Sequence, residues 1–117
     1  MRFTRGIVVA ALGLMAACSS STSPGSGPGP SQVFMQGSAF NPTTRTVTAG
    51  TTVTWVNKDA VAHTVTYSSG VGSSFSSGNI NGGGTFTVTF NTAGTVQYYC
   101  TIHGTPTAGM HGTIVVQ

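Results

Sequence analysis

Apolar and polar residues alternate along much of this chain. In "TFTVTF", Phe86, Val88 and Phe90 fall on one face and Thr85, Thr87 and Thr89 on the other, the period of two that marks a strand with one buried side. "TVTW" does the same with Val53 and Trp55. Further short strands are predicted in "VFM" at 33–35, "TVT" at 46–48, "HTVTY" at 63–67, "TVQYYC" at 95–100 and "GTIVV" at 112–116. Turn signals separate them: "NP" from 41, "AGT" from 49, "NKD" from 57, "NGGG" from 81 and "NTAG" from 91. About seven or eight short strands without a useful helical period predict an all-β domain, a β-sandwich or a small barrel. Residues 68–84, "SSGVGSSFSSGNINGGG", read as a long Gly/Ser loop, with Phe75 and Ile80 the residues able to pin it to the core.

The pattern stops before residue 32. Arg2 and Arg5, the apolar run from Ile7 to Ala17 and the small residues before Cys18 read as an export signal over 1–17. The run is too short for a bilayer, which takes about 18 to 20 apolar residues. "LMAAC" resembles the cleavage box of bacterial lipoproteins, with Met15 where leucine is usual. That resemblance makes Cys18 a lipid anchor, and implies a location at the cell envelope. Residues 18–31 then form the anchor and a linker, since "SSSTSPGSGPGPS" has nothing that could join a core. The remaining 32–117 suffice for one modest core. An acylated Cys18 leaves Cys100 as an unpaired thiol in an oxidising compartment, for which metal coordination is the leading use; a Cys18–Cys100 disulfide is the alternative.

Charge narrows the function. The formal net charge is +3, but two of the four cations lie in the signal. From Cys18 onward the charged residues are Arg45, Lys58 and Asp59. Nucleic acid as a partner is excluded by the lack of clustered Lys and Arg. A single carboxylate excludes acid/base chemistry built on paired carboxylates, and no G-x-S-x-G, Walker loop or H-E-x-x-H is present. The expectation is a protein that is not an enzyme.

What stands out instead is "YYCTIHGTPTAGMHGTIVV" at 98–116. Strand parity turns Val96, Tyr98 and Cys100 inward, and likewise His63, Val65 and Tyr67. With the strand ending at Cys100 antiparallel to the one starting after Met110, the loop "TIHGTPTAG" lies at one pole. Cys100, His103, His63 and Met110 then converge there. Each has a plain structural alternative: a hydrogen-bonded core histidine for His63, a small buried hydrophobe for Cys100, packing for Met110. Met35, Trp55 and Tyr98 read as core, and His111, by alternation, as an outward-facing surface residue. Two imidazoles, a thiolate and a thioether suit copper, because soft sulfur favours Cu(I) while imidazole accepts either valence. Zinc in a structural module is less suited, since such sites usually hold at least two cysteines.

The segments "FNPTTRTVTAGTTVTWVNKDAVAHTV" and "YYCTIH" with "MHGTIVV" resemble the cupredoxins, and within them the plastocyanin and amicyanin group. The resemblance spans essentially 32–117. It implies a Greek-key β-sandwich and one blue copper ion, with His63, Cys100 and His103 as equatorial ligands and Met110 as the axial one. It also implies one-electron transfer with redox protein partners docking near His103, where Ile102, Pro106, Ala108 and Met110 would form an apolar patch. A monomer is expected. Six residues, Gly104 to Gly109, separate His103 from Met110, more than is usual in that group. Copper carriage or storage at the cell surface is the competing function.

Overall fold

The computed structural model describes residues 27–117. The export signal, Cys18 and the first part of the linker lie outside the described residues. Eight strands form two four-stranded sheets packed face to face. In chain order they are β1 (Gln32–Met35), β2 (Phe40–Asn41), β3 (Thr44–Val47), β4 (Thr51–Asn57), β5 (Thr66–Gly70), β6 (Thr85–Phe90), β7 (Gly94–Thr105) and β8 (Ala108–Val116). One sheet has the order β2-β1-β4-β6 and the other β3-β8-β7-β5. This is an all-β Greek-key sandwich, which decides between sandwich and barrel.

Alternation decides what each sheet buries. Val53 and Trp55 of β4 point inward, as do Val96, Tyr98 and Cys100 of β7 and Met110, Ile114 and Val116 of β8. Trp55 and Tyr98 meet edge to face across the two layers, their ring centroids 5.2 Å apart, and Phe40 packs on Tyr98 at 4.6 Å. Such pairs add roughly 0.5 to 1.5 kcal/mol each beyond the area they bury. Phe86 and Val88 share the inward face with Phe90 but are only half-buried, because β6 is an edge strand. The threonines of β6 face outward, where Thr89 and Thr52 of β4 join hydroxyls at 2.7 Å.

Two regions depart from the sequence expectation. The strand expected at 63–67 begins only at Thr66. The amides of Thr64 and Val65 donate to side chains, Cys100 Sγ and Ser77 Oγ, so those residues cannot enter a ladder. The 68–84 segment is also more ordered than a plain loop. Ser68 to Gly70 belong to β5, Thr66 pairs with Ser76, and His63 pairs with Ile80. Phe75 and Ile80 do pin it: Phe75 packs against Trp55, Tyr67, Phe86 and Phe90, and Ile80 is buried.

β1 runs parallel to β4, with Gln32 opposite Thr54 and Met35 opposite Asn57. The chain therefore comes into the sandwich from one pole and heads toward the other, where β4 and the inward part of β7 end. Trp55→Ala, which removes the largest of these buried side chains, should destabilise the domain by about 3 to 5 kcal/mol, measured by denaturant unfolding.

Candidate metal centre

The far pole is built around a break in the β7–β8 ladder. Tyr99 pairs with His111, and the next pair is Gly104 with Gly109. Between these, β7 has Cys100, Thr101, Ile102 and His103, whereas β8 has only Met110. The surplus makes a wide bulge that brings Cys100 Sγ within 3.7 Å of His103 Nδ1. Beyond it the ladder resumes through Thr105 and Ala108, so the residues separating His103 from Met110 are the end of a hairpin rather than an open loop. Glycine is needed where the strands pinch shut. A Cβ on Gly104 would stand 2.4 Å from the Met110 amide nitrogen, and Gly109 has φ +69° with its Cβ direction 2.7 Å from the His103 carbonyl.

His63 comes from the crossing between β4 and β5. Its amide donates to the Ile80 carbonyl at 3.1 Å and its carbonyl accepts from the Ile80 amide at 2.7 Å, which fixes the backbone under a fully buried imidazole. Nε2 lies 2.8 Å from Asp59 Oδ2. Facing a carboxylate, Nε2 is assigned the proton, leaving the Nδ1 lone pair directed into the site. That Nδ1 is 3.0 Å from His103 Nδ1 and 3.9 Å from Cys100 Sγ. The Thr64 amide donates to Cys100 Sγ at 3.3 Å, which fixes the sulfur. Thr64 Oγ1 accepts from the Thr101 amide at 2.8 Å, tying the His63 segment to the Cys100 strand.

Asp59 is itself held. Its Oδ1 accepts from the Gly37 amide at 2.8 Å and its Oδ2 from the Ser38 amide at 2.9 Å. The Ser38 amide first, then the Gly37 amide and His63, lower its pKa from 3.8 to about 2. Asn57 supports the same crossing: Nδ2 donates to the carbonyls of Val61 and Ile80, and Oδ1 accepts from the Asp59 amide.

The structure thus brings His63, Cys100 and His103 together. Met110 is buried on β8 at the position opposite the bulge. His111 faces the other side of its sheet, across from Tyr99, and is only half-buried. The expected apolar patch needs one correction: Met110, 1% exposed, cannot contribute to it; Ile102 is 48% exposed, and Val61, on the crossing that leads to His63, is 51% exposed. Sequence reasoning missed Asp59, Thr64, Thr101 and Asn57 as supports. The four-residue spacing of Asp59 and His63 was the available signal.

Donors each about 2.0 to 2.3 Å from a shared ion stand roughly 3.5 to 4 Å apart. The two sulfur–nitrogen separations, 3.7 and 3.9 Å, fall in that range; the two Nδ1 atoms stand closer, at 3.0 Å. The three donor atoms cluster around one point, as a single metal ion requires, and the mixed nitrogen and sulfur set fits copper. Residues 32–117 match the family described as copper binding proteins, plastocyanin/azurin family. The chain belongs to that family. It is 38% identical over 86 residues to a plastocyanin of Scenedesmus fuscus, covering 67% of this chain and 86% of that protein. It is 36% identical over 73 residues to amicyanin-alpha of Methylorubrum extorquens, covering 61% and 58%. Among solved structures, a purple cupredoxin from Nitrosopumilus maritimus superposes with a TM-score of 0.63 at 28% identity, covering 74% of this chain and 99% of that one. The oxidised state of an amicyanin point mutant gives 0.64 at 31%, covering 74% and 80%.

Asp59 is the one acidic side chain in the sequence. A carboxylate whose pKa is lowered on folding contributes stability that is full above its unfolded value, near 4, and is lost as pH falls toward about 2. The melting temperature of the metal-free protein should therefore fall over that window, and Asp59→Asn should flatten that part of the profile.

Proposed function

We propose that this protein is a one-electron carrier built on a mononuclear type 1 copper site, in which His63, Cys100 and His103 would hold the ion as the close donors and Met110 would be the fourth ligand. The observation that carries this reading is the convergence of two Nδ1 atoms and a hydrogen-bonded sulfur at one pole of a two-sheet body. Copper bound there supplies a centre that alternates between two valences. The residues supply constraint. His63 is fixed by Asp59 and Ile80, and Cys100 by the Thr64 amide. A bulge pinched by Gly104 and Gly109 sets the spacing of Cys100 and His103. Ligands held this way have little freedom to rearrange when an electron arrives or leaves.

The way in and out is His103. It is partly exposed, whereas His63 and Cys100 are fully buried. Ile102, next to His103, and Val61, two residues before His63, are exposed apolar side chains, and Pro106 and Ala108 lie on the hairpin that follows His103. A small, nearly uncharged patch suits the weak, transient interfaces of redox proteins. We further propose that the chain is exported, that Cys18 is lipidated, and that the 18–31 segment tethers a monomeric 32–117 domain to the cell envelope. Copper carriage is the less favoured function because two of the three close donors have no solvent contact, which predicts slow transfer to a competing chelator.

The copper-loaded, oxidised protein should show the intense visible absorption of a thiolate–Cu(II) site. Cys100→Ser should abolish that band and lower the melting temperature of the loaded protein, since metal bound only by the fold stabilises it. A colourless wild-type protein, or a blue Cys100→Ser variant, would remove the basis for the reading. Met110→Leu should keep the blue band and raise the reduction potential in voltammetry; an unchanged potential would remove Met110 from the ligand set.

A further inference from the structure

The Asp59 carboxylate is the hub of a small network at the metal end. It takes the amides of Gly37 and Ser38, in the turn between β1 and β2, and it takes His63 Nε2. No cation competes for it among the described residues: Lys58, its neighbour in sequence, sits over the Phe34 ring at 4.9 Å, and the one ion pair recorded for Asp59 is with His63. A lone carboxylate in a turn is ordinarily solvated. This one has only 19% of its side chain exposed, and its partner imidazole has none.

We propose that Asp59 is a positioning residue of the copper centre, one that fixes His63 as the Nε2–H tautomer and holds the reduction potential down. The inference rests on the copper reading above. An imidazole can present a lone pair at only one nitrogen when neutral, so a carboxylate on Nε2 commits Nδ1 to the metal. The carboxylate also accepts the Nε2–H hydrogen bond, which pushes electron density into the ring and makes the Nδ1 lone pair a stronger metal donor. Its negative charge, fixed one imidazole ring away from the ion, favours the more positive oxidation state. Reduction adds one electron at the metal and moves no proton at Asp59, so the carboxylate biases the couple without taking part in it. Through Gly37 and Ser38 the same oxygens anchor the β1–β2 turn, which makes that turn part of the metal site's support although it is remote in sequence.

The test is Asp59→Asn. The amide keeps one acceptor oxygen but loses the charge, and its NH2 group faces donors rather than acceptors. Loss of such supporting partners typically costs about 10- to 100-fold in metal affinity. A tenfold loss confined to the oxidised state corresponds to about 59 mV for one electron. The expected result is a rise of the potential by at least that amount in Asp59→Asn and a value near wild type in Asp59→Glu, which restores the charge. In nitrogen-15 NMR of the metal-free wild-type protein, with imidazoles neutral, His63 should carry its proton on Nε2, and Asp59→Ala should lose that preference. A potential unchanged in Asp59→Asn, with only the melting temperature lowered, would overturn the proposal and leave Asp59 a clamp on the turn. A wild-type His63 protonated on Nδ1 would overturn it without any variant, and so covers the case of a variant that does not fold. Failure of wild-type protein to bind copper would instead sink the copper reading, and would show separately from the tautomer result.

Discussion

Between Tyr99 and Gly104 one strand of a tight antiparallel pair carries four residues against a single residue of its neighbour, and the metal end of the molecule is arranged around that surplus. In a regular ladder Cys100 and His103, three apart, would project to opposite faces. The bulge cancels the alternation, so the sulfur and the imidazole of one strand meet on the inner side. It can do so only because the ladder closes again immediately afterwards, at two glycines whose missing side chains let backbone meet backbone. Met110 is placed by the same event, as the residue that faces the bulge from β8.

The rest of the sandwich keeps that break from relaxing. β7 and β8 lie in the middle of their sheet, flanked by β5 and β3, and their inner faces rest on an aromatic cluster centred on Trp55 and Tyr98. The second sheet contributes no close donor. Its part is to hold the crossing that leaves β4 at Asn57, where side-chain amide, carboxylate and hydroxyl groups replace a regular ladder. A segment without ladder partners must satisfy its amides some other way, and here one of those amides goes to the Cys100 sulfur. The same hydrogen bond that prevents a strand at Thr64 therefore holds the sulfur in place.

Much of this was legible in the residues. Alternation in "TFTVTF" and "TVTW" located β6 and β4 and their inner faces, because a half-buried strand writes its period directly into the sequence. The C-x-x-H pair and the distant His63 could be grouped because soft donors are scarce and their parity agreed. Three features were not legible. β2 is two residues long, too short for any period. The hairpin continuing β7 and β8 past the bulge is set by backbone register between Gly104 and Gly109, and "TIHGTPTAG" has no apolar rhythm to report it. Asp59 looked like an ordinary turn charge, since its value depends on the Gly37–Ser38 turn, which touches it only in the folded chain. The apolar patch was misjudged at Met110 because exposure follows from the bulge, and the bulge is not written in the alternation.

The parallel pairing of β1 with β4 has an architectural consequence. Because β1 climbs toward the metal end, its first residue, Gln32, sits on the opposite side of the body, and β8 returns the chain to that same side at Val116. Both ends of the folded unit thus hang from its floor, while His103 looks out from its roof.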